Sequence, residues 1–391
     1  MKADNSRTHI VTFSRHPWSQ QAWKNRHHVI SRLTRWYRIL YVEEPIYIRH
    51  LLRSLSRQGV SESGRKSRTE NVIPYCPPAY LPRIYGYPKI ERLCQRLRNF
   101  HLRSVCQRMG IHYPILIIWD PEFSYMLDHF NESLRCYFVD DQYSLFTGTN
   151  AIETAREEEA LLKRVNLVFC TSETLCNDKK RLNRNVHLIA NGVDYGLFAP
   201  AASNLYPAPP ELQEIKRPIL GFVGNVDDRV NYGLLTAVAN DNPSWSIVLI
   251  GPYNICSQQY REEFNQLLAC KNARWLGFRT LQNIPLYIQG MDVCAIVNRV
   301  NEFSQFVYPI KLHEYLAAGK PIISTAIPSI IPFRDVVHIA DSPAEWKKYL
   351  EQALTETETA WIERRQAIAR QHTWDHRAEQ VHRILEVALK K

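Results

Sequence analysis

Short apolar, β-branched runs recur along the whole chain with helix-period segments between them, and this alternation constrains the fold more than any other feature of the sequence. In the first half the runs are residues 9–13, 39–42, 115–119, 136–139, 167–170 and 186–189. In the second half they are 219–223, 247–250, 275–278, 293–297, 322–325 and 337–339. Each is strand length, and continuous apolar character is typical of strands covered on both faces. Residues 23–36, 151–164, 259–269, 310–318 and 344–354 read as helices between them. Strands alternating with helices form βα units and parallel sheets. Two such sets in 391 residues, more than one hydrophobic core usually serves, predict an α/β chain of two Rossmann-like domains.

The boundary is visible in composition. After Asn191-Gly192-Val193-Asp194 the chain carries Pro200, Pro207, Pro209 and Pro210 among alanine and serine, a linker signature. The expected organisation is an N-terminal domain over 1–195, a linker over 196–217, a C-terminal domain over 218–374 and a final helix over 375–391. In such folds ligands sit outside the carboxyl ends of the strands, commonly in a cleft between domains. Residues 46–110 are basic and irregular, helix-prone over 90–108, and expected to lie on a cleft or membrane face.

Several function classes are excluded. No G-x-G-x-x-G follows a strand, which argues against a nicotinamide oxidoreductase. Ala318-Gly319-Lys320-Pro321 lacks the upstream glycine and the Ser/Thr of a P-loop. The nine cysteines form no C-x-x-C pair, so neither a disulfide framework nor a thiolate zinc site is expected. There is no apolar N-terminal leader and no run approaching the ~20 residues of a membrane span. Reduced thiols and no span together predict a cytoplasmic protein.

Charge is uneven. Residues 1–110 hold 21 Lys+Arg against 6 Asp+Glu, a net of +15, while the remainder holds 28 against 33, a net of −5. A basic region seeks anions, and without a nucleic-acid motif the expected partner is an anionic membrane surface rather than nucleic acid. Peripheral attachment to the inner face of the cell membrane follows as an expectation.

Two clusters are candidates for chemistry. In Tyr308-Pro309-Ile310-Lys311-Leu312-His313-Glu314, Pro309 suits a helix start, with Gly319 beyond its end. Lys311 and Glu314 are three apart and share a helix face near its N-terminus. A lysine at a helix N-terminus suits a diphosphate, and a glutamate beside it can accept the two hydroxyls of a ribose. The same spacing also fits a plain surface ion pair. The second cluster, Asp140-Asp141, follows a strand-like run and so lies at a sheet's carboxyl edge. One aspartate can act as a general base with the other raising its pKa, or it can simply cap the next turn.

These residues carry a resemblance. The stretch 309–321 resembles the donor-binding signature of GT-B glycosyltransferases in the glycosyltransferase 4/1 group. His187-Leu188-Ile189-Ala190-Asn191-Gly192-Val193-Asp194 is similar to the interdomain segment of that group, and 219–224 to its first C-domain strand and glycine. Pro17-Trp18 with Arg26-His27-His28, and Val139-Asp140-Asp141-Gln142-Tyr143-Ser144-Leu145-Phe146, resemble teichuronic-acid-type transferases. The resemblance implies a GT-B fold, two Rossmann-like domains with parallel sheets facing across a cleft. It implies a nucleotide-sugar donor, by family habit UDP-linked, in the C-domain, a glycan or lipid-linked acceptor on the N-domain, and no cofactor or obligatory metal.

Carried over by position, Lys311 would meet the donor diphosphate and Glu314 the ribose, with Pro309 opening their helix. Gly224 would let backbone approach the phosphates. Asn225, Arg229 and Asn298, at strand ends, complete the implied donor set. Retaining members have E-x7-E, but Phe306 stands eight residues before Glu314, and Glu302 is four positions too early. An inverting reaction is therefore expected. Asp141 falls on the catalytic aspartate of the similar segment in the xanthan glucuronosyltransferase, an inverting GT-B enzyme, with Asp140 as its neighbour. His16, Trp18, Arg26, His27 and His28 are the implied acceptor contacts. The alternative is a non-catalytic glycan- or nucleotide-binding protein of the same fold.

Overall fold

The computed structural model describes residues 8–20, 23–48, 71–84, 86–146, 148–203, 207–356 and 358–390. The chain divides into two compact units. The first comprises residues 1–171, 175–189 and 378–391, and the second 172–174 and 190–377.

Unit 1 is built on a seven-stranded sheet: β1 (His9–Ser14), β2 (Arg38–Glu43), β3 (Val72–Tyr75), β4 (Ile115–Ile118), β5 (Leu134–Val139), β6 (Leu167–Cys170) and β7 (Val186–Leu188). The spatial order is β3-β2-β1-β4-β5-β6-β7, with every neighbour parallel. Its strands β4 and β6 are buried from end to end, and β5 is buried but for Arg135 near its start, in keeping with the continuous apolar runs. The chain departs from β1 to one side and later returns to its other side at β4, so the switch point lies at the carboxyl ends of β1 and β4. Sequence periodicity does not reveal β3. It contains Pro74, tolerable because β3 is an edge strand bonded only to β2. The helix Pro88–Arg108 is present within the basic stretch, while residues 49–70 of that stretch lie outside the described residues.

Unit 2 carries β8 (Ile219–Val223), β9 (Val226–Asp227), β10 (Ser246–Ile250), β11 (Tyr253–Asn254), β12 (Ala273–Trp275), β13 (Val293–Ile296), β14 (Ile322–Ser324) and β15 (His338–Ile339). Its six-stranded parallel sheet has the order β12-β10-β8-β13-β14-β15, and β9 pairs with β11 beside it. Strand alternation splits the core into two layers. Ile219, Val223, Val248, Ile250, Cys294, Ile296 and Ile322 pack on one side. Leu220, Phe222, Ile247, Leu249, Val293, Ala295 and Ile323 pack on the other. The switch point here lies between β8 and β13.

The proline-rich stretch 196–217 is packed onto unit 2 rather than strung out. Its described part folds into short helical turns, Tyr195–Phe198, Ala199–Ser203 and Pro210–Gln213, which bury Phe198, Ala201 and Leu212. Three apolar anchors outweigh the composition, because their burial holds the backbone that the prolines already restrict. Residues 378–391, most of the last helix Trp374–Leu389, are part of unit 1. There His382 stacks on Trp36 at 4.3 Å and contacts the Tyr37 hydroxyl at 2.9 Å.

Candidate active-site groups

In unit 2 the candidate donor residues gather at the switch point. The helix Ile310–Ala317 begins after Pro309, which holds the N-cap with extended geometry and is itself buried. Lys311, in the first turn, reaches back to the end of β8, where its Nζ sits 3.7 Å from the centroid of the Phe222 ring. Gly224 follows β8 at φ +147, and a Cβ there would stand 2.6 Å from Lys311 Nζ. Only glycine leaves room for the ammonium at this turn. The Gly224 carbonyl is in turn pressed against Gly251, at φ +148, where a Cβ would lie 1.8 Å from that oxygen. Arg229 is held by Asp227 through Nε at 3.0 Å and Nη2 at 2.5 Å. Asn225 and Asn298 are half-buried at the ends of β8 and β13. Asn298 bridges to Val230, and its carbonyl accepts from Thr325 at 2.9 Å.

The electrostatics suit an anion beside Lys311. Among the described residues no carboxylate lies within ion-pair distance of Lys311. Burial, then the nearby Arg229, pushes its pKa down to about 7. Glu314, on the same face, is pushed up to about 7 by burial, against the pull of Lys311. Two adjacent groups of opposite sign are thus both destabilised as ions. A diphosphate beside the lysine would restore its charge, and ribose hydroxyls beside the glutamate would hydrogen-bond its carboxylate.

In unit 1 the switch point is held by buried ions. Arg26, 2% exposed, donates from Nη1 to Ser14 at 2.8 Å and to Asp120 at 3.0 Å, and from Nη2 to Asp140 at 2.7 Å. Arg15 donates to Asp120 through its backbone amide and Nε, each at 3.0 Å. Burial alone would raise the Asp120 pKa, but Arg26 and Arg15 hold it below the usual carboxylate value. The Tyr143 hydroxyl donates to Asp140, and burial with that carboxylate pushes its pKa well up, so it stays protonated. Asp140 is therefore committed to Arg26 and Tyr143. Asp141, half-buried at the same carboxyl edge, is the other member of the pair. His16 is half-buried after β1, and its Nε2 is 3.1 Å from Lys24 Nζ. Burial, Arg26 and Lys24 push its pKa down to about 3, so the imidazole is neutral at physiological pH.

Of the implied acceptor contacts, Trp18, Arg26, His27 and His28 lie within the packed interior of unit 1. All four side chains are buried: Trp18 packs against Trp23, His27 and Tyr41, and His27 bonds the Pro17 carbonyl and caps the Lys24 amide. The first turn of the helix Asn25–Leu33 is buried, and its polar groups bond within unit 1 to Asp120, Asp140 and the Pro17 carbonyl. His16 alone of the acceptor set keeps access to solvent. Sequence reasoning missed Asp120, Arg15, Tyr143, Phe222 and Gly251. Asp120 had the same signal as Asp140, an acid just past a strand-like run.

Residues 217–356 match the family model described as Glycosyl transferases group 1, a span containing Gly224, Lys311 and Glu314. A chain of Bacillus subtilis (strain 168) named teichuronic acid biosynthesis glycosyltransferase TuaH is 29% identical over 230 residues, 56% of this chain and 56% of that one. The match thus spans little more than half of that relative. Among solved structures, Anabaena Alr3699/HepE in complex with UDP and glucose superposes with TM-score 0.68 at 14% identity, covering 97% of this chain and 99% of that one. Sucrose-phosphate synthase from Thermosynechococcus elongatus does so with TM-score 0.68 at 15% identity, covering 97% and 98%. At such identities these likenesses speak for the fold. The chain has the GT-B fold, and its residues 217–356 are similar to the group 1 glycosyltransferase domain.

Proposed function

We propose that this protein transfers a sugar from a nucleoside diphosphate donor, UDP-linked, to a glycan or lipid-linked acceptor of the cell envelope, at the inner face of the cell membrane. The observation that carries the proposal is Lys311 in the first turn of its helix, poised over Phe222 beside Gly224 at the switch point of unit 2. UDP and glucose in the Anabaena structure support the choice of donor, and the name of the Bacillus subtilis relative supports an envelope polysaccharide.

In this reading Lys311, with Arg229 and the helix amides, holds the diphosphate, and Glu314 accepts from the ribose. Asp141 takes the proton of the acceptor hydroxyl as its oxygen attacks the anomeric carbon. The bond from that carbon to the diphosphate breaks, UDP departs, and configuration inverts. Positive charge fixed around the leaving oxygen stabilises it without an obligatory metal. The inverting course is favoured by Phe306, which occupies the position of the first glutamate of the retaining motif. Membrane attachment rests on the +15 balance of residues 1–110. Among the described residues no helix is long and apolar enough to cross a bilayer.

A thermal-shift panel of nucleoside diphosphates tests the donor site. A ligand at 100 times its Kd stabilises the native state by ~2.7 kcal/mol. UDP should shift the transition, Lys311→Ala should abolish the shift, and Asp141→Asn should keep it while losing transfer. No shift with any nucleoside diphosphate would refute the proposal.

A further inference from the structure

We propose that the outward face of the helix Pro88–Arg108 is the surface by which this chain docks on an anionic bilayer. The inference rests on the membrane reading above and names the part of the molecule that makes the contact.

The helix is inside out. Ile90, Leu93, Leu97 and Phe100 recur at spacings of three and four, so they form one stripe, and they are 49%, 56%, 45% and 74% exposed. The face turned to the protein carries Arg98, Asn99, Leu102 and Cys106, all buried. A solvated surface helix puts its aliphatic stripe inward and its arginines outward. Here Arg98 is buried, where it meets Glu91 at 2.5 Å and the Pro82 carbonyl at 2.7 Å. The stripe is left facing away, and Tyr80 and Tyr87, both exposed, stand before its first turn.

Charge says what covers it. Glu91 is the only acid of the helix, and it is spent on Arg98 and on the Ile84 amide. Lys89, Arg92, Arg96, Arg103 and Arg108 are exposed, and among the described residues none pairs with a carboxylate. At ~100° per residue, Lys89, Arg92, Arg96 and Arg103 project along one flank of the stripe. An apolar stripe bordered by unpaired cations, with aromatics at one end, matches a helix that lies in the bilayer interface. Its aliphatic groups enter the acyl boundary, its cations meet lipid phosphates, and its tyrosines sit among the headgroups. The cations make the occupant an anionic lipid surface rather than a protein groove, which would have to supply several unpaired acids. With so many charges the helix lies on the bilayer and does not enter it.

Sedimentation with vesicles decides the matter. The full chain should bind phosphatidylcholine vesicles containing phosphatidylglycerol, and bind weakly to phosphatidylcholine alone. The combined variant Ile90→Ser, Leu93→Ser, Leu97→Ser and Phe100→Ser should bind the anionic vesicles about tenfold or more weaker. The variant Arg92→Gln, Arg96→Gln and Arg103→Gln should lose the preference for anionic lipid and its sensitivity to salt. Both should keep the wild-type melting transition and UDP shift, which shows them folded. If the serine variant binds like wild type, the helix is not the contact and the proposal fails while the membrane reading stands. If wild type ignores anionic vesicles, both fail, whatever the UDP shift. If the serine variant changes the oligomeric mass without lipid, the stripe is a contact between copies of the chain, and the proposal is again overturned.

Discussion

Arg26 Nη2 lies 2.7 Å from Asp140 Oδ2 and ties the helix after β1 to the carboxyl end of β5. The same guanidinium holds Asp120 past β4, so one buried cation braces three strand ends at the switch point. Asp141 is the next residue after a carboxylate fixed in this way. In the proposed reaction, a base set beside a braced neighbour would keep its place without a loop having to order around it.

Arg26→Ala should therefore destabilise unit 1 strongly, by about 3–5 kcal/mol at neutral pH, because Asp120 and Asp140 lose their buried counter-charge. The sign of the pH dependence follows from Asp120, whose pKa is held down in the fold by Arg26 and Arg15. Its contribution is present above the unfolded carboxylate value and is lost as pH falls through the lower folded one. The gap between wild type and Arg26→Ala should shrink on acidification. Urea denaturation at neutral pH and near pH 4 measures it, and a gap that widened in acid would contradict the bracing role.

The glycines of unit 2 allow a contrast. In Gly224→Ala the new methyl meets the flexible tip of Lys311, at 2.6 Å. In Gly251→Ala it meets the Gly224 carbonyl at 1.8 Å, which is backbone. Both sites have φ near +150, so both carry backbone strain. Gly224→Ala should fold, lose about 1–2 kcal/mol of stability and lose most UDP affinity, since Lys311 is displaced. Gly251→Ala should be the more destabilised, because the turn itself must open. Equal melting temperatures for the two variants would show that the β8 turn is looser than described.

How far the sequence discloses all this differs from place to place. Central strands such as β4, β6, β8 and β10 are legible because they are apolar or buried on both faces, and β3 is not, because a proline sits inside a four-residue edge strand. The donor candidates are legible because strand end, glycine and helix start are local signals. The acceptor side is not. Arg26, His27 and His28 look like ligand-binding groups in sequence, yet the partners that bury Arg26 lie 94 and 114 residues away. The period of residues 90–108 reveals a helix, but only tertiary packing shows that Arg98 faces in and Phe100 faces out.

Lys311 should make UDP binding proton-linked. With its pKa pushed down to about 7 in the ligand-free protein, the ammonium loses its proton as pH rises through 7. A bound diphosphate restores the charged form, so binding above that pH takes up a proton, and affinity falls by at most about tenfold per pH unit. Calorimetry near pH 8 in buffers of different ionisation enthalpy counts the protons. Uptake should be near one in wild type and lower in Lys311→Arg, whose guanidinium stays charged throughout. Undiminished uptake in the variant would place the titrating group elsewhere.

Glu314→Gln should trade stability against function in a pH-dependent way. Burial raises the Glu314 pKa to about 7, above its unfolded value, so the fold favours the neutral acid. Below the unfolded value the native state pays no penalty for it. As pH rises towards 7 the carboxyl must ionise where hydration is poor, and the penalty grows to its full size above that. Glutamine keeps the shape and removes the charge. The variant should match wild type near pH 4 and exceed it by about 1 kcal/mol near pH 8, the figure being reduced for partial solvent access. In the same variant UDP should bind less tightly, because an amide oxygen accepts from ribose hydroxyls more weakly than a carboxylate. Paired melts at the two pH values read the first effect, and UDP titration reads the second. A variant less stable than wild type near pH 8 would mean that Glu314 supports the fold as an ion, and that its burial is structural.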